Sequence, residues 1–127
     1  MPETGWLIGA AVGVICAIRW ASAAVYDVLI VKMTTKWYAS VLKALEKNST
    51  LLDVGIGTAT ALRNNKSLVE TKDLRVAGID YDARYIKAAE RRVAQDAKLR
   101  DRVSVVCASV YDSQVLGALR PKGGFDA

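Results

Sequence analysis

The 127-residue chain contains no histidine, only two cysteines, one phenylalanine and two prolines. Without histidine, this segment has no imidazole that could act as a general base. The two cysteines, Cys16 and Cys107, are too few for a disulfide framework and lack the spacing of a metal site, so we expect two buried structural thiols and no metal. The sequence also has no repeats or low-complexity tracts, and its length allows one domain at most.

The chain has 18 basic residues and only 13 acidic ones, which gives a net charge of +5. The excess lies after residue 33, where 16 basic residues stand against 11 acidic ones. Such a balance favours an anionic membrane surface or a nucleic acid as a partner. The charges are spread along predicted solvated helix faces, however, and no basic cluster alternates with aromatic residues. Nucleic-acid binding is therefore a minor hypothesis.

The N-terminal part of the chain has one long apolar run, from Trp6 to Val25, which only Arg19 interrupts. About 20 apolar residues are needed to span a bilayer core. An arginine near the end of a span can extend to the headgroups, and Trp6 and Trp20 suit the interfaces. A buried helix and a cleaved signal peptide are the alternatives, but no positive charge precedes the run. We predict a transmembrane helix with its flank over residues 1–33 and a separate domain over residues 34–127.

The flanks of this apolar helix predict its orientation and a helix partner. Gly9 and Gly13 form a small-xxx-small pair through which a second helix could approach, although ordinary helix composition explains the pair equally well. Lys32 and Lys36 follow the helix, whereas Glu3 precedes it. The positive-inside tendency therefore predicts a membrane-anchored protein with its globular part on the cytoplasmic or matrix-like side.

After the apolar helix, three short apolar runs predict three strands. The first begins at Leu51, the second covers residues 74–80 and the third covers residues 103–108. Between the last two, apolar residues at helical spacing predict a crossover helix from Ala83 to Arg100, with Asp82 as its N-cap.

Another helix is predicted before the first strand, with Thr34 or Thr35 as its N-cap. Tyr38 lies on its apolar stripe and could line a ligand cleft, although packing is the preferred interpretation. The stripe consists of Trp37, Tyr38, Val41, Leu42 and Leu45.

The most specific pattern in the chain follows the first strand and runs from Asp53 to Ala59, reading Asp-Val-Gly-Ile-Gly-Thr-Ala. Its glycines let the backbone turn beneath a ligand that side chains would exclude. A dinucleotide-binding turn has its third small residue three positions after the second glycine, whereas Ala59 comes two positions after Gly57. The alternative is a strand-turn-helix corner without a ligand. The spacing resembles the turn of class I S-adenosylmethionine (SAM)-dependent methyltransferases, with Ala59 in place of the usual glycine.

This resemblance implies an α/β fold: a partial doubly wound, Rossmann-like, mostly parallel sheet of three strands with crossover helices, preceded by the hydrophobic helix. It also implies SAM as the cofactor, with Asp80 binding the ribose hydroxyls. Helix capping is the alternative role for Asp80, but Asp82 already fills it. Tyr81 would contact the adenine or pack, and Ser109 would reach the adenine amino group or cap a turn. The implied cofactor residues are Asp53, Gly55, Gly57, Thr58, Ala59, Asp80, Tyr81 and Ser109.

The resemblance extends from about Tyr26 to Ala127 and covers only the cofactor-binding half of the family. The last residues, 124–127, resemble the start of a fourth strand that would lie beside the first. No residue is singled out as catalytic, and the methyl acceptor would bind to elements beyond this half. Two hypotheses follow: a membrane-anchored methyltransferase, or an inactive methyltransferase-like accessory subunit of a membrane complex. If Ala127 ends the mature product, we expect no turnover.

Overall fold

The computed structural model describes the backbone from Glu3 to Ala127 and the side chains from Gly9 onward. Within it, the chain divides into two compact units, Met1–Met33 and Thr34–Ala127. The elements in chain order are α1 (Glu3–Ala44), β1 (Thr50–Val54), α2 (Thr60–Asn64), α3 (Lys66–Thr71), β2 (Arg75–Asp80), α4 (Ala83–Ala94), β3 (Val103–Cys107) and α5 (Ser113–Leu119).

The described residues of the first unit belong to α1, and their side chains from Gly9 onward are exposed. The segment Gly9–Ala44 contains an 18-residue window with a mean hydropathy of 1.8, and it is long and apolar enough to cross a membrane by length and composition. The prediction of a helix start at Thr34 or Thr35 is wrong, because α1 continues through both residues. Residues 24–35 contain neither glycine nor proline, so nothing in the local sequence ends the helix there.

The second unit is built on a sheet of three strands in the order β1-β2-β3, with both neighbouring pairs parallel. The central strand, β2, is buried from Val76 to Asp80, which explains its continuous apolar sequence. The register pairs Asp53 with Gly78 and Asp80 with Cys107. The predicted α/β fold is therefore confirmed, and the carboxyl ends of its strands meet at one edge.

Helix α4 packs on this sheet through Ile86, Ala89 and Val93. Its N-cap is Asp82, as predicted, because the Asp82 carboxylate accepts a hydrogen bond from the Arg84 N–H at 2.9 Å. The fully buried core also includes Leu42, Leu62, Val69, Leu74, Ile79 and Leu99.

The predicted end of α4 at Arg100 is wrong, because the helix ends at Ala94. The Asp96 carboxylate accepts hydrogen bonds from the Lys98 N–H at 3.0 Å and from the Lys66 ammonium at 2.8 Å. An aspartate that binds nearby backbone in this way competes with the helical hydrogen bonds. The chain turns here instead of continuing as a helix.

The two cysteines are exposed, so the prediction of buried thiols is wrong. Cys16 lies in the exposed apolar segment of α1. Cys107 ends β3, an edge strand of the described sheet, and its thiol lies 3.5 Å from the Tyr81 carbonyl. An edge strand is covered less than a central one, which leaves Cys107 accessible.

The edge of β1 that faces away from β2 is paired with the last two residues. The Thr50 carbonyl accepts a hydrogen bond from the Asp126 N–H at 2.8 Å, and the Leu52 N–H donates to the Ala127 carbonyl at 2.8 Å. The Asp126 carboxylate also accepts from the Thr50 N–H at 2.8 Å. These residues do not form a strand, but they lie beside β1, where a fourth strand was expected.

We expect Gly78→Ala to destabilise the fold, because a Cβ at this position would collide with the Cδ1 of Ile56 and lie 3.1 Å from its Cβ and Cγ2. Overpacking of this kind costs about 1–3 kcal/mol of unfolding free energy. The matched control is Gly117→Ala in α5, where a Cβ meets nothing within 4 Å. Urea unfolding of the full chain in detergent should give a lower midpoint for the first variant only; equal midpoints would contradict the packing at Gly78.

Candidate functional site

The glycine-rich turn connects β1 to α2 at the carboxyl edge of the sheet. Three of its residues have left-handed backbone angles: Gly55 with φ 77°, Gly57 with φ 58° and Ala59 with φ 60°. Glycine adopts this region freely, whereas an L-residue such as Ala59 is disfavoured there by roughly 1–2 kcal/mol. The turn therefore needs contacts from the rest of the fold that stabilise its shape.

One such contact comes from Asp80, at the end of β2. Its side chain is buried, and its Oδ2 accepts a hydrogen bond from the Gly57 N–H at 3.0 Å. Its Oδ1 accepts from the Asp82 N–H at 2.9 Å. A carboxylate can accept about four hydrogen bonds, so Asp80 can hold the turn and still bind hydroxyl groups of a ligand. Asp80 lies at the end of the second strand, as predicted, and its contact with Gly57 adds a structural role.

A first cavity of about 370 Å³ opens beside Asp80. Tyr81 is exposed at its rim, with 85% of its surface accessible, so it is not packed in the core. Ser109 also lines the cavity, and its hydroxyl accepts a hydrogen bond from the Tyr111 N–H at 3.2 Å, as expected of a turn residue. The lining consists of Val54, Gly55, Ile79, Asp80, Tyr81, Ala108, Ser109, Val110 and Tyr111.

A second cavity of about 280 Å³ shares Gly55 with the first, since this residue lines both. Asp53 and Thr58 line this one, so the structure brings these two predicted residues together. Its lining consists of Thr34, Tyr38, Asp53, Gly55, Ile56, Thr58, Thr60, Ala61 and Leu62. The two cavities share Gly55 at the carboxyl edge of the sheet, and we refer to them together as the cleft.

The Asp53 carboxylate interacts with Tyr38, whose hydroxyl donates a hydrogen bond to Oδ2 at 2.8 Å. Burial raises the pKa of Asp53 above its usual range, and the negative charge of Asp80 raises it further, while the bond from Tyr38 opposes both effects. Tyr38 was expected mainly to pack. It does pack on the core, but it also lines the cavity and contacts an acidic residue of the motif.

Two further residues of the site were missed in the sequence. Thr60 begins α2 and lines the second cavity. Arg92 belongs to the charged residues of α4, but it is partly buried and donates hydrogen bonds to Thr58 and Thr60. No local pattern marks Arg92, because its partners lie more than 30 residues away. Ala59, between the two threonines, is buried at the N-cap of α2 and packs in the core.

The chain matches no protein-family model and no curated protein. Several solved structures are similar to it. A precorrin-6y C5,15-methyltransferase from Geobacter metallireducens GS-15 has 17% sequence identity and a TM-score of 0.52, over 68% of this chain and 42% of that protein. A SAM-dependent methyltransferase from Aquifex aeolicus has 28% identity and a TM-score of 0.46, over 57% of this chain and 38% of that one.

A SAM-dependent methyltransferase from Geobacter sulfurreducens, solved with S-adenosyl-L-homocysteine, has 22% identity and a TM-score of 0.46, over 60% of this chain and 28% of that one. The chain thus spans less than half the length of these three proteins. The strand order and the parallel pairing describe an open α/β sheet, and the match to the Geobacter metallireducens enzyme supports the same fold. The chain therefore has the Rossmann-like fold of the SAM-dependent methyltransferases.

Proposed function

We propose that this chain is the cofactor-binding half of a membrane-anchored SAM-dependent methyltransferase. The observation that carries the proposal is the pair of cavities that share Gly55 in their linings, one lined by Asp80 and the other by Asp53. SAM likewise has two halves, an adenosine and a zwitterionic amino acid, joined at a positively charged sulfonium. A cleft with two acidic compartments suits such a ligand.

The adenosine half of SAM would occupy the first cavity. Asp80 has acceptor capacity beyond its two backbone partners, and a carboxylate can accept hydrogen bonds from both ribose hydroxyls. Tyr81 is exposed at the rim and offers an aromatic face to the adenine. Ser109 lines the same cavity and offers a hydroxyl to the adenine amino group.

The amino-acid half would occupy the second cavity, where Asp53 faces its ammonium group. The ionised Asp53 carboxylate and the ligand ammonium would attract each other, and this attraction is stronger in a partly buried site because water screens the charges less there. The bond from Tyr38 fixes the orientation of Asp53. Thr58 and Thr60 line this cavity and offer hydroxyls to the carboxylate of the ligand.

SAM, when bound, supplies a methyl group activated by the positive sulfonium. The residues of this half would bind and orient the ligand at the carboxyl edge of the sheet. Methyl transfer depends mainly on such alignment with the acceptor, and a base is needed only where the acceptor must lose a proton. The acceptor would approach from the open side of the cleft.

The second candidate function is a non-catalytic accessory subunit that retains the methyltransferase-like module for packing. One observation favours it: Asp80 binds the Gly57 and Asp82 N–H groups, so a module without a cofactor would also need this residue. Under this proposal, the motif is retained because it stabilises the turn. Binding measurements separate the two functions.

The apolar part of α1 would anchor the protein in a membrane. Its described side chains from Gly9 to Met33 are exposed, although many are aliphatic, as in a helix surrounded by lipid. Lys32 and Lys36 would lie at the cytoplasmic or matrix-like surface together with the globular unit. Gly9 and Gly13 would offer a surface on which a second helix can pack.

Titration of the full chain with S-adenosylhomocysteine tests the cofactor site. We expect micromolar binding, and a loss of roughly tenfold or more in Asp80→Asn, because a hydrogen bond to a charged group contributes about 1.5–3 kcal/mol. Asp101→Asn, at an exposed position, is the matched control. Calorimetry measures the affinities, and thermal unfolding checks that Asp80→Asn is folded. A wild-type chain that binds no ligand would favour the accessory-subunit function.

The pH dependence of this binding should report on Asp53. Only the ionised carboxylate attracts the ligand ammonium, and the pKa of Asp53 is raised in the free protein. The affinity should therefore fall as the pH decreases from 7 through this raised pKa. The fall should occur at a higher pH than for an ordinary aspartate, whose pKa is near 3.9. Asp53→Asn should bind more weakly at pH 7 and lose this pH dependence. The same pH profile in both proteins would contradict a contact between Asp53 and the ammonium.

Membrane anchoring can be tested with Val14→Asp, at an exposed position of α1. A charge near the centre of a spanning helix opposes insertion by about 2.5–3.5 kcal/mol, so a smaller fraction of the protein should resist carbonate extraction from membranes. Val110→Asp, at an exposed position of the globular unit, is the control and should behave like the wild type. A wild-type chain that is fully extracted would exclude a transmembrane anchor.

A further inference from the structure

Arg92 lies on α4, far along the chain from the glycine-rich turn, yet it contacts the turn directly. The two hydrogens of its Nη1 are shared among three acceptors: the Thr58 carbonyl at 3.1 Å, the Thr58 hydroxyl at 3.0 Å and the Thr60 hydroxyl at 2.6 Å. These partners flank Ala59, the residue whose left-handed angles are unfavourable. Arg92 therefore joins both sides of the strained position to α4.

The hydrogen atoms of this cluster can be counted. The two threonine hydroxyls are 2.8 Å apart, so one of them donates to the other. Both hydroxyl oxygens also accept from Arg92, and a guanidinium has no acceptor. One hydroxyl hydrogen is therefore left over within the cluster, and it cannot be donated to the guanidinium. Because Thr58 and Thr60 line the second cavity, this hydrogen is available to an acceptor there.

The second cavity thus combines a negative charge with a hydrogen-bond donor. Asp53 supplies a negative charge, while the threonine hydroxyls supply a donor supported by the positive charge of Arg92. A group that carries both an ammonium and a carboxylate, such as an α-amino acid, matches this arrangement. A hydroxyl that accepts a bond from a cation also becomes a stronger donor, because bonds in a chain polarise one another.

We propose that Arg92 is a positioning residue, which acts through Thr58 and Thr60 to bind the carboxylate of the amino-acid half of the ligand. This inference rests on the proposed SAM site. It predicts that Arg92 matters for ligands that carry the amino acid and not for ligands that consist of the adenosine half alone. A purely structural role would affect both kinds of ligand equally.

The test compares two ligands by calorimetry with the full chain in detergent: S-adenosylhomocysteine, and methylthioadenosine, which lacks the amino-acid part. In Arg92→Ala, we expect the affinity for S-adenosylhomocysteine to fall by roughly tenfold or more, while the affinity for methylthioadenosine changes by less than about twofold. Arg92→Lys keeps a positive donor and should recover part of the loss.

Arg91→Ala is the matched control, because Arg91 is exposed and its Nε donates to the Lys87 carbonyl of its own helix at 3.4 Å. It should bind both ligands like the wild type. Thr60→Val removes one hydroxyl without removing the guanidinium and should show the same selective loss as Arg92→Ala. It also keeps the proposal testable if Arg92→Ala does not fold.

The outcomes separate this inference from the proposed function. If the wild type binds neither ligand, both the proposed function and the role of Arg92 are wrong. If the wild type binds both ligands and Arg92→Ala weakens them equally, or weakens neither, only the role of Arg92 is overturned. Selective loss of S-adenosylhomocysteine in Arg92→Ala and Thr60→Val supports both.

Discussion

The hydrogen bond from the Gly57 N–H to the Asp80 carboxylate joins the two features on which the candidate site depends. Asp80 ends the buried central strand, and Gly57 lies in the turn that follows the neighbouring strand. Parallel pairing of β1 with β2 brings both to the same edge of the sheet. Because Asp80 also binds the Asp82 N–H, it connects the turn to the start of α4. One carboxylate thus fixes the relative positions of a strand, a turn and a helix.

The turn is held from a second direction by Arg92. The left-handed angles of Ala59 are unfavourable for an L-residue, and the buried side chain of Ala59 leaves little room for rearrangement. Hydrogen bonds from Arg92 to Thr58 and Thr60 offset this cost on both sides of Ala59. Asp80 and Arg92 thus both support the strained turn, and a site held in its binding conformation loses less entropy when a ligand binds.

The charges of the cleft also depend on residues outside the glycine motif. Tyr38 comes from the end of α1 that belongs to the globular unit, and its hydroxyl binds Asp53. Burial raises the pKa of Asp53, and the nearby negative charge of Asp80 raises it further. A bound cation would relieve the repulsion between these two charges. The cleft is therefore suited to a positively charged ligand such as a sulfonium.

The sequence alone determined the features that depend on neighbouring residues. The three strands, the turn at Gly55 and Gly57 and the N-cap at Asp82 follow from apolar runs, glycine spacing and a side chain that bonds two residues ahead. The tertiary structure decided the contacts between distant residues, namely Tyr38 with Asp53 and Arg92 with Thr58. It also decided where helices begin and end. Helix α1 continues where the threonines predicted a start, and α4 ends shortly before Asp96, whose carboxylate accepts a hydrogen bond from the Lys66 ammonium. A local sequence pattern cannot indicate these contacts, because the hydrogen-bonded residues are 15 and 34 positions apart in the chain.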